Sequence, residues 1–113
     1  MNMEAITDQR LFELYNDTLS KCGMYLFDEE DDVVEYNIFE EFDIGVHSFL
    51  HIDSLNRLYK NGFISPNKLT KSITLRDKVI QLQNSNEWAI ESFRTSKKWQ
   101  EILLLCDEIK ATL

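Results

Sequence analysis

One proline and three glycines are all that interrupt 113 residues. Turn-rich sandwiches and barrels need those residues wherever the chain reverses, so their scarcity points to long helices joined by few breaks. The apolar spacing agrees. Ile6, Leu11, Leu14, Tyr15, Thr18, Leu19 and Cys22 recur at three- and four-residue steps, which predicts a helix over 4–22 with Gly23 as its left-handed cap. Phe39, Phe42, Val46, Phe49 and Leu50 hand over to Ile52, Leu55, Leu58 and Tyr59, predicting a helix that runs to Asn61 and stops at Gly62. Ser65 is a natural N-cap, and Pro66 takes the first helical position, where its missing N–H costs nothing. Leu69, Ile73, Arg76, Val79, Ile80 and Gln83 carry that helix to residue 84. Asn86 is placed to cap a short helix holding Trp88, Ile90 and Phe93. Thr95 or Ser96 then caps a last one, with Trp99, Ile102, Leu103, Cys106, Ile109 and Leu113 on one face. The expectation is one all-α domain over 1–113, a compact bundle of four to five helices.

Charge is distributed unevenly over that framework. The stretch DEEDDVVEYNIFEEFD, residues 28–43, holds nine acids and no base: Asp28, Glu29, Glu30, Asp31, Asp32, Glu35, Glu40, Glu41 and Asp43. The whole chain carries 20 acids and 12 bases, so without this stretch 11 acids face 12 bases and the net charge of −8 disappears. From Arg57 to Lys98 the balance is reversed, with nine bases against Asp77, Glu87 and Glu91. An acidic surface repels phosphates and anionic lipid and attracts basic proteins. Direct nucleic-acid binding and membrane association are therefore not expected. Neither a secretion signal nor a membrane-spanning run is visible, and Cys22 and Cys106 read as buried reduced thiols, which together suggest a cytoplasmic protein.

Residue patterns for chemistry are incomplete. His47 and His51 lie four apart and, on one helix face, could grip a metal together with Asp43 or Asp53. The helical zinc motif, however, needs a Glu where Ser48 stands. A calcium loop starting at Asp28 would put Val33 at the turn glycine and Phe39 at the closing Glu. No nucleophile elbow or phosphate-binding glycine loop is present. No cofactor and no enzymatic activity are expected.

The acidic stretch itself departs from a plain solvated tail, because Val33, Val34, Tyr36, Ile38, Phe39 and Phe42 are threaded through it. Val34, Ile38 and Phe42 lie four apart and could pin the segment to the core while its acids face outward. Tyr36 and Phe39 would then offer a partner apolar anchors among carboxylates that attract and orient it. In size, acidic patch and helical make-up, with EEFDIGVHSFLHIDSLNRL and SFRTSKKWQEILLLCDEIK as its most typical stretches, the chain resembles the small immunity proteins of bacterial polymorphic toxins, of the contact-dependent growth inhibition and colicin types. That resemblance implies an antitoxin-like module that occludes the active-site cleft of a cognate basic toxin, with a nuclease as the expected activity. The paired tyrosines of the helical colicin immunity proteins are absent, so no family contact residue carries over. The partner surface is expected at Asp28, Glu29, Glu30, Asp31, Asp32, Glu35, Tyr36, Phe39, Glu40, Glu41 and Asp43. An acidic DNA mimic, a helical adaptor for another basic protein, and a metal enzyme using His47 and His51 are the alternatives.

Overall fold

The computed structural model describes residues 6–113. Among them every regular element is helical, and six helices pack into one body of 39 × 28 × 24 Å. Helix α1 spans Asp8–Ser20, and its cap is Thr7, whose side chain accepts from the Arg10 N–H. A 3₁₀ turn, Met24–Asp28, precedes α2, a continuous helical run over 31–48. Helix α3 is Ile52–Lys60, α4 is Pro66–Gln83, α5 is Ile90–Thr95 and α6 is Lys97–Ala111. The expected start of the first helix at residue 4 lies outside the described residues.

Six helices replace the expected four to five because the helix expected through to Asn61 breaks at Phe49–His51, and the first of the two pieces extends back through the acidic segment to Asp31. The break redirects the chain by capping. The His51 Nδ1 accepts from the Asp53 N–H at 3.1 Å and opens α3, while the Ser54 hydroxyl reaches back to the Ser48 carbonyl at 2.9 Å.

The punctuation at Gly62, Ser65 and Ser96 stands as expected. Gly62 adopts φ +81°, the Phe63 N–H bonds the Leu58 carbonyl at 2.9 Å and the Gly62 N–H bonds that of Tyr59 at 3.1 Å, a Schellman ending. Ser65 Oγ accepts from the Lys68 N–H and Ser96 Oγ from the Lys98 N–H.

Three local expectations fail. Gly23 is extended, with φ 166°, and gives no left-handed cap; a Cβ there would press on the ends of the Asp107 and Lys110 side chains of α6, which would have to shift. Asn86 caps nothing: α5 begins after Ala89, because Trp88 is drawn out of the helical register to stack on Trp99. Leu113, expected on the buried face of α6, lies beyond the helix end and is fully exposed.

The core is continuous through all six helices. Helix α4 packs along α6 and α3, while α1 crosses α3, α6 and the end of α2. At that last crossing an added Cβ on Gly45 would overlap Thr18, so the two helices can meet only over a bare Cα. The Tyr15 and Ser72 hydroxyls hydrogen-bond at 2.7 Å in the interior and tie α1 to α4. Arg57 of α3 holds the start of α1 through the Asp8 carboxylate and the Ile6 carbonyl. No helix of the described residues is long and apolar enough to cross a membrane.

Candidate functional site

The acidic helix α2 begins and ends with α-helical turns, Asp31–Val34 and Asp43–Ser48, and between them Glu35–Phe42 winds more widely as a π-helix. The Asp43 N–H reaches back five residues to the Ile38 carbonyl. A reason lies in its apolar repeat. Val34, Ile38, Phe42, Val46 and Leu50 are all fully buried and fall at strict four-residue steps. At 3.6 residues per turn each such step drifts 40° around the axis, or 160° over the series. A wider turn removes much of that drift and keeps the residues aimed at one core. Burying each of Val34, Ile38 and Phe42 contributes about 1.5–3 kcal/mol. Long π stretches are uncommon and tend to lie at functional positions.

This backing holds the carboxylates outward. Asp28, Glu29, Glu30, Asp31, Asp32, Glu35 and Glu40 are exposed, and Glu41 and Asp43 are half-buried. Two of the nine acids have a basic neighbour among the described residues. Asp31 Oδ1 accepts from Arg94 Nη2 at 2.9 Å, and Asp43 lies 3.6 Å from the His47 ring. For Asp28, Glu29, Glu30, Asp32, Glu35, Glu40 and Glu41, no described Lys, Arg or His comes within ion-pair distance. Asp31 and Asp32 gain some compensation from the positive end of the helix they open, where Asp32 Oδ1 also accepts from the Val33 N–H at 3.0 Å.

Arg94 does more than pair with Asp31. Its guanidinium also donates to the Phe27 carbonyl at 3.1 Å and the Glu29 carbonyl at 2.6 Å, and it lies over the Phe93 ring. One side chain from α5 therefore fixes the entry into the acidic helix. Charge reversal at Asp31 would set two cations against each other at that clamp, so Asp32, Glu35 and Glu40 are the better probes of the charged face.

The two expected aromatic anchors separate. Tyr36 is 51% exposed and touches no other ring. Phe39 is half-buried, edge-on to Trp88 at 5.3 Å and to Trp99 at 5.7 Å, in a cluster that extends to Phe93 and Phe27. It serves mainly to bind α2 to the C-terminal half. Sequence reasoning missed Ile44, which is 62% exposed. The signal for it was the four-residue step: Tyr36, Glu40 and Ile44 run outside, parallel to Val34, Ile38 and Phe42 inside.

At the far end of the face, Gln83 of α4 donates to Asp43 Oδ1 and accepts from His47, both at 2.7 Å. His51 has turned away to cap α3, so the i, i+4 pair that a shared metal would require is split by the break at Phe49–His51. Among the described residues no group of three or more His, Cys, Asp or Glu could hold a metal ion.

The displaced pKa values lie off this face. Burial pushes Tyr15 up to about 12, raises Cys22 well above its usual range where it meets Cys106, and raises Tyr25. Glu87 is lowered by the hydrogen bond from Ser96. The tyrosine and thiol shifts are those of groups set into or against the core. Comparison with protein-family models, with curated proteins and with solved structures finds no match to this chain.

Proposed function

We propose that the protein is an immunity-type binding module whose acidic helix captures a cationic protein, namely the catalytic domain of a basic toxin acting in the cytoplasm, and covers its active-site cleft. The observation that carries this reading is the set of seven carboxylates, from Asp28 to Glu41, with no basic partner among the described residues. Asp32, Glu35, Glu40 and Glu41 are fixed to a helix whose other side is core, and Asp28, Glu29 and Glu30 lie in the segment that leads into it. Holding like charges at set positions is unfavourable, and a partner that supplies the counter-charge relieves it. Such a surface accelerates encounter with a basic cleft and rejects acidic competitors. The toxin class comes from the sequence resemblance; the charge and its rigid backing support only a cationic protein partner.

The test is co-expression with the basic C-terminal domain of the large secreted protein that a toxin system would encode beside this gene. Growth should be restored by this protein. In the Asp32→Lys, Glu35→Lys, Glu40→Lys variant, association at low salt should slow by roughly tenfold or more and lose most of its salt dependence. Association that keeps the wild-type salt dependence would remove the acidic helix as the capturing surface.

A further inference from the structure

Two large apolar side chains stand free on the acidic helix, and they share a line. Tyr36 and Ile44 are eight residues apart with Glu40 midway between them, on the side away from the buried Val34, Ile38 and Phe42. Other exposed apolar groups differ. Tyr25 hydrogen-bonds the Ser20 carbonyl and lies under Lys110, while Leu104 and Tyr59 project from other helices. Residues at four-residue steps form the ridge that packs into the matching groove of a second helix. The π winding of Glu35–Phe42 straightens this ridge as it straightens the buried one. Eight residues at an α-helical rise place the two anchors roughly 12 Å apart, about two turns of a facing helix, and rather less in the wider turn.

We infer that the Tyr36–Glu40–Ile44 ridge is a contact line for a cationic amphipathic helix of the partner. This rests on the proposed reading of the acidic segment and adds the shape that docks there. The charge around the ridge selects the occupant. Asp32, Glu35 and Glu40 have no basic neighbour among the described residues, so a facing helix needs Lys or Arg beside its apolar strip. A second copy of this chain would bring the same carboxylates face to face, and an anionic lipid surface would be repelled. Tyr36 and Ile44 then set the lifetime of the complex while the acids set the rate of encounter.

The test compares two peptides of equal charge, an amphipathic Leu/Lys helix of about five turns and an oligolysine, titrated into the full chain at about 150 mM salt. The helical peptide should bind at least about tenfold more tightly. Tyr36→Ala with Ile44→Ala should erase that preference and leave oligolysine binding and the circular dichroism spectrum unchanged. Equal binding of the two peptides, or a preference that survives the double substitution, overturns the ridge while sparing the acidic surface. If neither peptide binds, both readings fail. If the chain self-associates in sedimentation through Tyr36 and Ile44, the occupant is a second copy and the inference is wrong.

Discussion

Helix α2 and the α4–α6 pair solve the same problem in opposite ways. Both bury a continuous apolar side and face solvent with charge. On α4 and α6 the charges answer one another: Lys71 with Glu108 at 3.1 Å, Lys78 with Glu101 at 3.5 Å, and Lys110 with Asp107 at 3.3 Å on α6 itself. On α2 the acids outnumber any internal answer, although the chain contains enough bases to have supplied one. Among the described residues the bases from Arg57 to Lys98 are placed elsewhere, except for Arg94, which clamps the entry. The difference teaches that seven of the nine acids are left without a basic partner among the described residues by the arrangement of the fold, since composition alone would have allowed otherwise.

The comparison breaks first if the acidic helix lacks its backing. Phe42→Ala should cost about 3–5 kcal/mol in urea unfolding, as for other fully buried aromatic side chains. A loss below about 1 kcal/mol would show that α2 is only loosely attached, and a loosely attached helix cannot hold charges against their repulsion. A smaller effect is expected at the clamp. Arg94→Met should cost about 1–2 kcal/mol, less than a buried charged hydrogen bond would because the side chain is partly exposed. Hydrogen exchange should then quicken over residues 29–34 and stay unchanged in α4. Exchange that quickens equally in both would mean that Arg94 supports the whole bundle.

The smallest effect discriminates most sharply between the two regions. Neutralising Glu35 and Glu40 together as Gln, with Asp32 kept at the helix start, should leave stability unchanged or raise it by up to about 0.5 kcal/mol at low salt. Neutralising Glu101 and Glu108 together should lower it by a similar amount. Matching signs in thermal melts would erase the distinction between a paired and an unpaired surface.

Some features of the fold are legible in the sequence and others are not, along a clear division. Ser65–Pro66, Ser96 and Gly62 were legible because capping and helix termination depend on residues within one turn. The outward acids and the inward Val34, Ile38 and Phe42 were legible because a helical segment with that pattern has few ways to sit. The break at Phe49–His51 was hidden, since the apolar stripe runs through it without interruption and the cap comes from a histidine. Ile44 is hidden because a 3.6-residue turn does not line it up with Tyr36. Phe39 has the pattern of a free anchor, but its neighbours Trp88 and Trp99 lie about 50 and 60 residues further along.

By itself, then, the amino-acid order determined an all-helical chain with its negative charge gathered in one amphipathic stretch. Periodicity and caps act over a few residues and need no knowledge of distant neighbours. Tertiary structure decided which charges find partners, which aromatic rings remain accessible and how tightly the acidic helix is wound. Those outcomes depend on groups brought together from distant parts of the chain, such as Arg94 reaching the Glu29 carbonyl and Gln83 reaching the Asp43 carboxylate. Packing among them is cooperative, and no local pattern records it.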